Sequence, residues 1–287
     1  MRVLVATDAS VASDEAMREG VALASSPDDV LAVLHVLPLL AHQSLFLPAR
    51  DAASEARASQ IVASANAAVR ERAARFAPNA KEIFVDEGID YAGIVRRAQD
   101  WRADVIVLGS HGRSGITHML GGVAERVVRY AHCAVLVVRA ATARGCVIAA
   151  TDLSSPSLPA VAAAAREARR RSARLKVVHA LSFLDWEATY LVELASPSIP
   201  KTVPERDMAQ RALSDAVAKL GVEAECEVLD TPAAAAIVRH AEESGAELIV
   251  VGTHGKTGLA RVLLGSVAEK IVRAASCSVL VVRQPVS

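Results

Sequence analysis

The run GTHGKTGLARVLLGSV, residues 252 to 267, sets glycines at Gly252, Gly255, Gly258 and Gly265 and follows the last with Ser266. The ligand such a stretch can hold is an anion. Glycine lets the backbone take positive φ and approach a ligand closely, which is the expectation for Gly252 and Gly255. Neighbouring amides can then turn toward one point and form an anion nest. Gly265-Ser266 reads as a helix start, whose free N–H groups and dipole favour negative charge. Ser266 is expected as the N-cap, adding a hydroxyl. Nest, helix end and hydroxyl together suit a polyphosphate. Asp152, in the upstream run AATD, can accept from a ribose hydroxyl. Tight turning alone is the other reading of the same glycines, and residue types do not decide between the two.

Other constellations carry less. Gly255-Lys256-Thr257 has the end of a Walker A loop, but the earlier glycine that motif needs falls on Val250. No G-x-G-x-x-G follows a first strand, so the dinucleotide fingerprint is missing. His111 and His254 lie in the glycine loops, where they touch phosphate or simply turn the chain. Arg113 and Lys256 follow the second loop glycine, either solvated or screening a phosphate tail. His35 and His179 occupy matching positions in strand-like runs and read as structural histidines. None of these has a carboxylate or nucleophile at triad-like spacing, so no catalytic residue is assigned. The basic run Arg166 to Lys176 reads as a solvated helix face with a favourable dipole contribution at its end. Cys133, Cys146, Cys226 and Cys277 form no CxxC or Cys/His cluster. They read as buried apolar thiols in a reducing cytoplasm, and no metal site is assigned.

The elements that must position these residues occur twice. VAERVVRYAHCAVLVVR from Val123 matches VAEKIVRAASCSVLVVR from Val267, an offset of 144 residues, and the same offset pairs Asp8 in VLVATD with Asp152 in VIAATD. A repeat this long is a duplicated domain, not a solenoid unit. The boundaries fall at 1–141 and 145–287, and so short a join implies halves that pack together. In the first half RVLVATD reads as a strand, followed by a helix from Ser10 to about Ala24, a strand Val30 to Pro38, a helix Asp51 to Phe76, the strand KEIFVDEG, a helix near Ala92 to Trp101, ADVIVLGSHG, a helix, and AVLVVR. The second half repeats this with a helix after Ser154 and another around Glu205 to Leu220. Five strands alternating with helices give a mostly parallel sheet. VIVLG and LIVVG are nearly all apolar, as strands buried on both faces are. The halves differ most at 39–50 and 182–204, where Trp186 and Tyr190 lie, and these read as variable surface loops.

Composition removes several function classes. The 287 residues are 52% apolar and 22% charged with formal net charge zero, so no global field points to nucleic acid or an anionic membrane. Aromatics at 3% argue against base-stacking platforms. No apolar run reaches the roughly 18–20 residues of a membrane span, and MRVLVATDAS reads as a first strand, not a signal peptide.

Taken together, the G-x-x-G, nine residues, G-S stretch (Gly255 to Gly265-Ser266), TD after the first strand, VVHAL in the second and CSVLVVR at the end resemble a tandem universal stress protein of the ATP-binding branch. The resemblance covers essentially the whole chain, twice. It implies two Rossmann-like domains, flavodoxin-like or adenine nucleotide α-hydrolase-like, each a five-stranded parallel sheet of order 3-2-1-4-5. Their last strands would pair across an internal two-fold, forming a pseudo-dimer able to dimerise further. It places adenine by the TD turn (Thr151-Asp152, Thr7-Asp8) and the backbone just after the second-strand histidine (Ala180, Val36). Phosphates fall on Gly252, His254, Gly255, Gly265 and Ser266, with Lys256 and Val267 beside them. The first-half counterparts are Gly109, His111, Gly112, Arg113, Gly121 and Gly122. The implied ligand is ATP, or ADP or AMP, with Mg²⁺ accompanying the triphosphate. The implied role is a cytoplasmic stress or signalling protein that changes conformation or protein partner on binding nucleotide, with little or no hydrolysis. A slow ATPase or nucleotidyl-transferring enzyme and a nucleotide-free scaffold are the alternatives.

The first half departs from the pattern. Its VAE register sets Gly122 opposite Ser266, and Gly112 to Gly121 then encloses eight residues instead of nine. Counted as nine, Gly122 fills the glycine slot and Val123 the hydroxyl slot. Either way the hydroxyl is gone, which costs roughly 1.5–3 kcal/mol at a charged phosphate, or about 10- to 100-fold in affinity. The second half is therefore expected to bind ATP more tightly.

Overall fold

The computed structural model describes residues 1–38, 52–111, 120–140, 145–181, 205–230, 232–253 and 264–283. The variable stretches 39–50 and 182–204, with Trp186 and Tyr190, lie outside the described residues, as do Gly112, Arg113, His254, Gly255, Lys256 and Gly258. The chain divides into two compact units, Met1–Arg139 and Ala140–Ser287. Unit 1 runs β1 (Arg2–Ala6), α1 (Val11–Leu23), β2 (Val30–Pro38), α2 (Ala52–Phe76), β3 (Glu82–Gly88), α3 (Asp90–Asp100), β4 (Val105–Gly109), α4 (Gly122–Tyr130) and β5 (Ala134–Val138). Unit 2 runs β6 (Cys146–Ala150), α5 (Leu158–Arg171), β7 (Arg174–Ala180), α6 (Glu205–Lys219), β8 (Glu225–Leu229), α7 (Ala233–Glu243), β9 (Leu248–Gly252), α8 (Ser266–Ala274) and β10 (Ser278–Val282).

Both units are α/β. In unit 1 the strands lie in the order β3-β2-β1-β4-β5, every neighbour pair parallel. In unit 2 they lie as β8-β7-β6-β9-β10, again parallel. The central strands are short β-branched or aliphatic runs with no room for water on either face. Val3, Leu4 and Val5 of β1 are fully buried, as are Val147, Ile148 and Ala149 of β6. The chain leaves β1 for β2 on one side and returns to β4 on the other. That reversal opens a crevice at the strand carboxyl ends, where doubly wound sheets take ligands. The same reversal occurs in unit 2, where β6 pairs β7 on one side and β9 on the other.

Helix starts follow local hydrogen bonding. Ser10 caps α1 through its side chain, which accepts from the Ser13 amide. The second-half helix expected after Ser154 begins at Leu158. Residues 154 to 157 form a turn first, closed by Ser157 N–H to the Ser154 carbonyl at 2.9 Å. The basic run at the end of α5 is not simply a solvated face. Arg170 and Arg171 both pair with Glu167, and Arg171, its side chain 9% exposed, also reaches Glu247 at 3.2 Å. Glu247 accepts in turn from the Gly145 amide. Arg171 thus ties the helix end to the start of β9 and the amide just ahead of β6; Arg166 and Arg169 remain exposed.

Candidate functional site

The site is built from the carboxyl ends of the first, second and fourth strands of each unit. At the end of β1, Thr7 is held by every polar atom it has. Its amide donates to Leu34 O at 2.8 Å and its carbonyl accepts from His35 Nδ1 at 2.7 Å. The Ser13 hydroxyl donates to the Ser10 carbonyl at 2.8 Å, so at 3.0 Å the Thr7 hydroxyl must donate to Ser13 Oγ. Thr7 Oγ1 then accepts from the Ala9 amide at 3.1 Å. Asp8 Oδ1 accepts from Ser10 N at 3.0 Å. Ala9 sits at φ 63°, a left-handed conformation that costs a residue with a Cβ about 1–2 kcal/mol. The threonine bond to its amide helps to hold it there.

Unit 2 repeats these bonds, except that Ser154 Oγ donates to Asp152 Oδ1 where Ser10 Oγ accepts from the Ser13 amide. The Thr151 hydroxyl meets Ser157 Oγ at 2.7 Å and accepts from the Leu153 amide at 3.0 Å. Leu153 has φ 64°, Asp152 Oδ1 accepts from Ser154 N at 3.0 Å, and His179 Nδ1 lies 2.9 Å from the Thr151 carbonyl. Because that carbonyl can only accept, each histidine carries its proton on Nδ1. Both are structural, as their sequence positions suggest. The left-handed residue after each TD pair was not visible in the sequence, since neither is glycine.

The phosphate end differs from expectation in its details. Gly252 ends β9 and is not among the residues at positive φ. The N-cap of α8 is Gly265, not Ser266. Ser266 is the first helical residue and is exposed. The Gly265 amide is committed to Thr253 O at 2.8 Å, and a Cβ there would stand 3.1 Å from that oxygen. Glycine makes this close approach without crowding the carbonyl. The first intrahelical bond is Glu269 N–H to Gly265 O. The amides of Ser266, Val267 and Ala268 are consequently left without intrahelical acceptors.

Unit 1 uses the same device. Gly121 caps α4, its amide donates to Ser110 O at 2.7 Å, and Glu125 N–H bonds Gly121 O. Of the two alignments the sequence allows, the structure therefore selects the one that sets Gly122 at the place of Ser266. His111 Nδ1 lies 2.8 Å from Ser110 Oγ. Gly109 has its own close approach, for a Cβ there would meet the Ala12 backbone carbon at 2.9 Å.

These residues surround one cavity in unit 1, of about 470 Å³, within the roughly 300–1,000 Å³ of small-molecule pockets. Its walls include Thr7, Asp8, Val36, Gly109, His111, Gly121 and Gly122, every described first-half residue singled out by the sequence. His35, read from the sequence as structural, also lines it, and so does Asp90, which the sequence does not single out. Asp90 starts α3 and was hidden because a helix-opening aspartate ordinarily serves the helix dipole. In unit 2 Thr151, Asp152, Ala180, Gly252, Gly265, Ser266 and Val267 occupy the corresponding strand ends and helix start. Among the described residues no group of His, Cys, Asp and Glu is arranged to hold a metal ion, and no helix is long and apolar enough to cross a membrane.

Comparison with known proteins agrees with the duplication. The model of the universal stress protein family matches residues 1–139 and again 146–283. A universal stress protein of Methanocaldococcus jannaschii is 36% identical over 142 residues, 48% of this chain and 82% of that protein. One from Mycobacterium tuberculosis is 33% identical over 197 residues, 63% of this chain and 62% of that protein, so the match spans under two thirds of this relative's length. A crystal structure of a universal stress protein from Archaeoglobus fulgidus superposes with a TM-score of 0.66, covering 99% of this chain and 96% of the other at 18% identity, a likeness of fold.

Proposed function

The chain belongs to the universal stress protein family and carries its domain twice, and from that premise we propose that it binds adenine nucleotide at the strand carboxyl ends of both units and acts through binding, not turnover. The observation that carries this reading is the unit 1 cavity, which gathers the TD turn, the β2 end and the start of α4 around one ligand-sized space. A ribose hydroxyl suits Asp8 or Asp152. The base lies against Val36 or Ala180. Phosphate suits the free amides at the start of α4 or α8.

Unit 2 is the tighter ATP site, because Ser266 adds a hydroxyl where unit 1 has Gly122. His254, Gly255 and Lys256 belong to the same proposal, with Mg²⁺ carried by the triphosphate, and so do Gly112 and Arg113 in unit 1. Occupancy shifts conformation or partner surface only by the ligand's differential affinity for the two states. Pairing of the two units through their last strands, a further protein partner and a cytoplasmic setting, which suits four free cysteines, complete the reading.

Mass spectrometry of nucleotide released from the denatured purified protein, with titration calorimetry of ATP, tests it. One tight ATP site per chain is expected. Ser266→Ala should weaken that site by about 10- to 100-fold. Two equal tight sites would remove the asymmetry. No adenine nucleotide bound at all would leave a scaffold, and turnover well above about 1 s⁻¹ would make the chain an enzyme.

A further inference from the structure

Unit 1 keeps the hydrogen-bonded turn that suits a nucleoside and changes residues that suit a polyphosphate. The Thr7–Asp8 turn, its hydroxyl relay and the His35 bond are the same as in unit 2. Among the described residues that differ around the ligand space, two bear on the charge of a ligand. At the mouth of α4, Gly122 replaces the hydroxyl of Ser266. At the first residue of α3, Asp90 stands where α7 begins with Ala233. One Asp90 oxygen accepts from the Tyr91 amide, and the other has no partner among the described residues. Asp90 lines the cavity, so its charge acts on whatever occupies it.

Resting on the reading of both units as nucleotide sites, we infer that the unit 1 cavity takes an adenine nucleoside carrying at most one phosphate. The chain thereby reads two adenylates of different charge, one in each unit. The three amides at the start of α4, of Gly122, Val123 and Ala124, serve a single phosphate. A monophosphate brings about −1.5 to −2 charge at neutral pH. A triphosphate brings more, meets the Asp90 carboxylate across the same cavity and finds no hydroxyl at the helix mouth. The nucleoside half of the ligand meets neither penalty. Val36 in place of Ala180 adds apolar surface on the side where the base lies. Gly93 makes room for it, since a Cβ there would stand 2.9 Å from a Val36 methyl.

Hydrogen-exchange mass spectrometry of the full chain, titrated separately with adenosine, AMP and ATP, tests this unit by unit. AMP is expected to protect residues 105–111 and 120–130 at a concentration at least about 10-fold lower than ATP does. ATP is expected to protect 248–253 and 264–274 first. In Asp90→Asn, ATP should gain several-fold on unit 1 while its midpoint on unit 2 stays put, and added salt should shrink the difference between the two proteins. ATP protecting unit 1 as readily as AMP, protection confined to unit 2, or an Asp90→Asn protein with unaltered preference would overturn the inference. Protection of neither unit by any of the three would instead overturn the reading of the chain as a nucleotide binder.

Discussion

Unit 1 and unit 2 agree where hydrogen bonds are made by small polar side chains and diverge where packing is made by large ones. The threonine–serine relay, the aspartate-to-amide bond, the strand histidine and the glycine cap recur in both. The outer edge is not. In unit 1, Trp101 is 7% exposed, donates its indole N–H to Glu82 and lies under the Arg2 guanidinium at 4.1 Å. Phe84 meets it edge-on at 6.3 Å, with Arg97 over the Phe84 ring and paired to Asp86. Unit 2 has Ser244 at the place of Trp101, bonded to His240, and Cys146 at the place of Arg2. The difference teaches that a duplicated domain can exchange its packing at the sheet edge freely, because apolar burial is not directional. A turn whose every polar atom is spoken for has no such latitude.

The largest expected effect follows from that edge. Trp101→Ala should cost unit 1 about 3–5 kcal/mol, the range for removing a buried aromatic. Ser244→Ala should cost unit 2 about 0.5–1.5 kcal/mol, the worth of one hydrogen bond. Denaturant titration followed by hydrogen exchange in each unit measures both. Equal losses would mean that the aromatic cluster is ornament on a common core.

The contrast between bonds and packing also explains what could be read in advance. The strands and the TD turn were legible because each depends on residue type at short range, whereas the glycine stretch lies mostly outside the described residues. The cap was not legible. Gly265 and Ser266 are both acceptable N-caps, and the choice follows the Thr253 carbonyl, which closes on Gly265 at a distance tight for any side chain. Positive φ was expected at Gly252 and occurs at Ala9 and Leu153, where a threonine hydroxyl two residues earlier in the chain holds the strained residue. Arg171 looked solvated because its carboxylate partner Glu247 is 76 residues away in the chain. Asp90 passed unnoticed for the same reason: only the fold brings it to the wall that Asp8 and Gly122 share.

A mid-sized effect sharpens the comparison inside the core. Gly20 of α1 lies so close to β1 that a Cβ would stand 2.3 Å from a Val5 methyl. Unit 2 has Ala164 and Ala149 at the places of Gly20 and Val5, both fully buried. The pairs Gly–Val and Ala–Ala are alternative divisions of one space. Gly20→Ala should therefore destabilise unit 1 by about 1–3 kcal/mol, the usual cost of overpacking. Adding Val5→Ala should restore most of the loss, giving a coupling energy well outside the few tenths of a kcal/mol seen for independent sites. Additive losses in the double variant would mean that the two units pack this helix differently.

The smallest effect concerns pH and belongs to unit 2. Burial pushes the Cys146 thiol above its ordinary value, and burial does the same to Cys226 in β8. Unit 1 has Arg2 at the place of Cys146. A thiol whose folded pKa is raised stays protonated in the fold after the unfolded chain has begun to ionise, near pH 8.5. Its contribution to stability is thus complete below about pH 8.5 and is lost as pH rises toward the folded value, with a slope of at most about 1.4 kcal/mol per pH unit for each thiol. Urea titrations between neutral pH and pH 10, read by hydrogen exchange in each unit, should show unit 2 weakening in this window. Cys146→Val should flatten part of that dependence while leaving unit 1 unchanged, because Val fills the same buried strand position without an ionisable atom. If the variant and the parent fell in parallel across the window, the alkaline loss would have to come from other groups, and the exchange of Arg2 for Cys146 at the start of the central strand would carry no energetic consequence with pH.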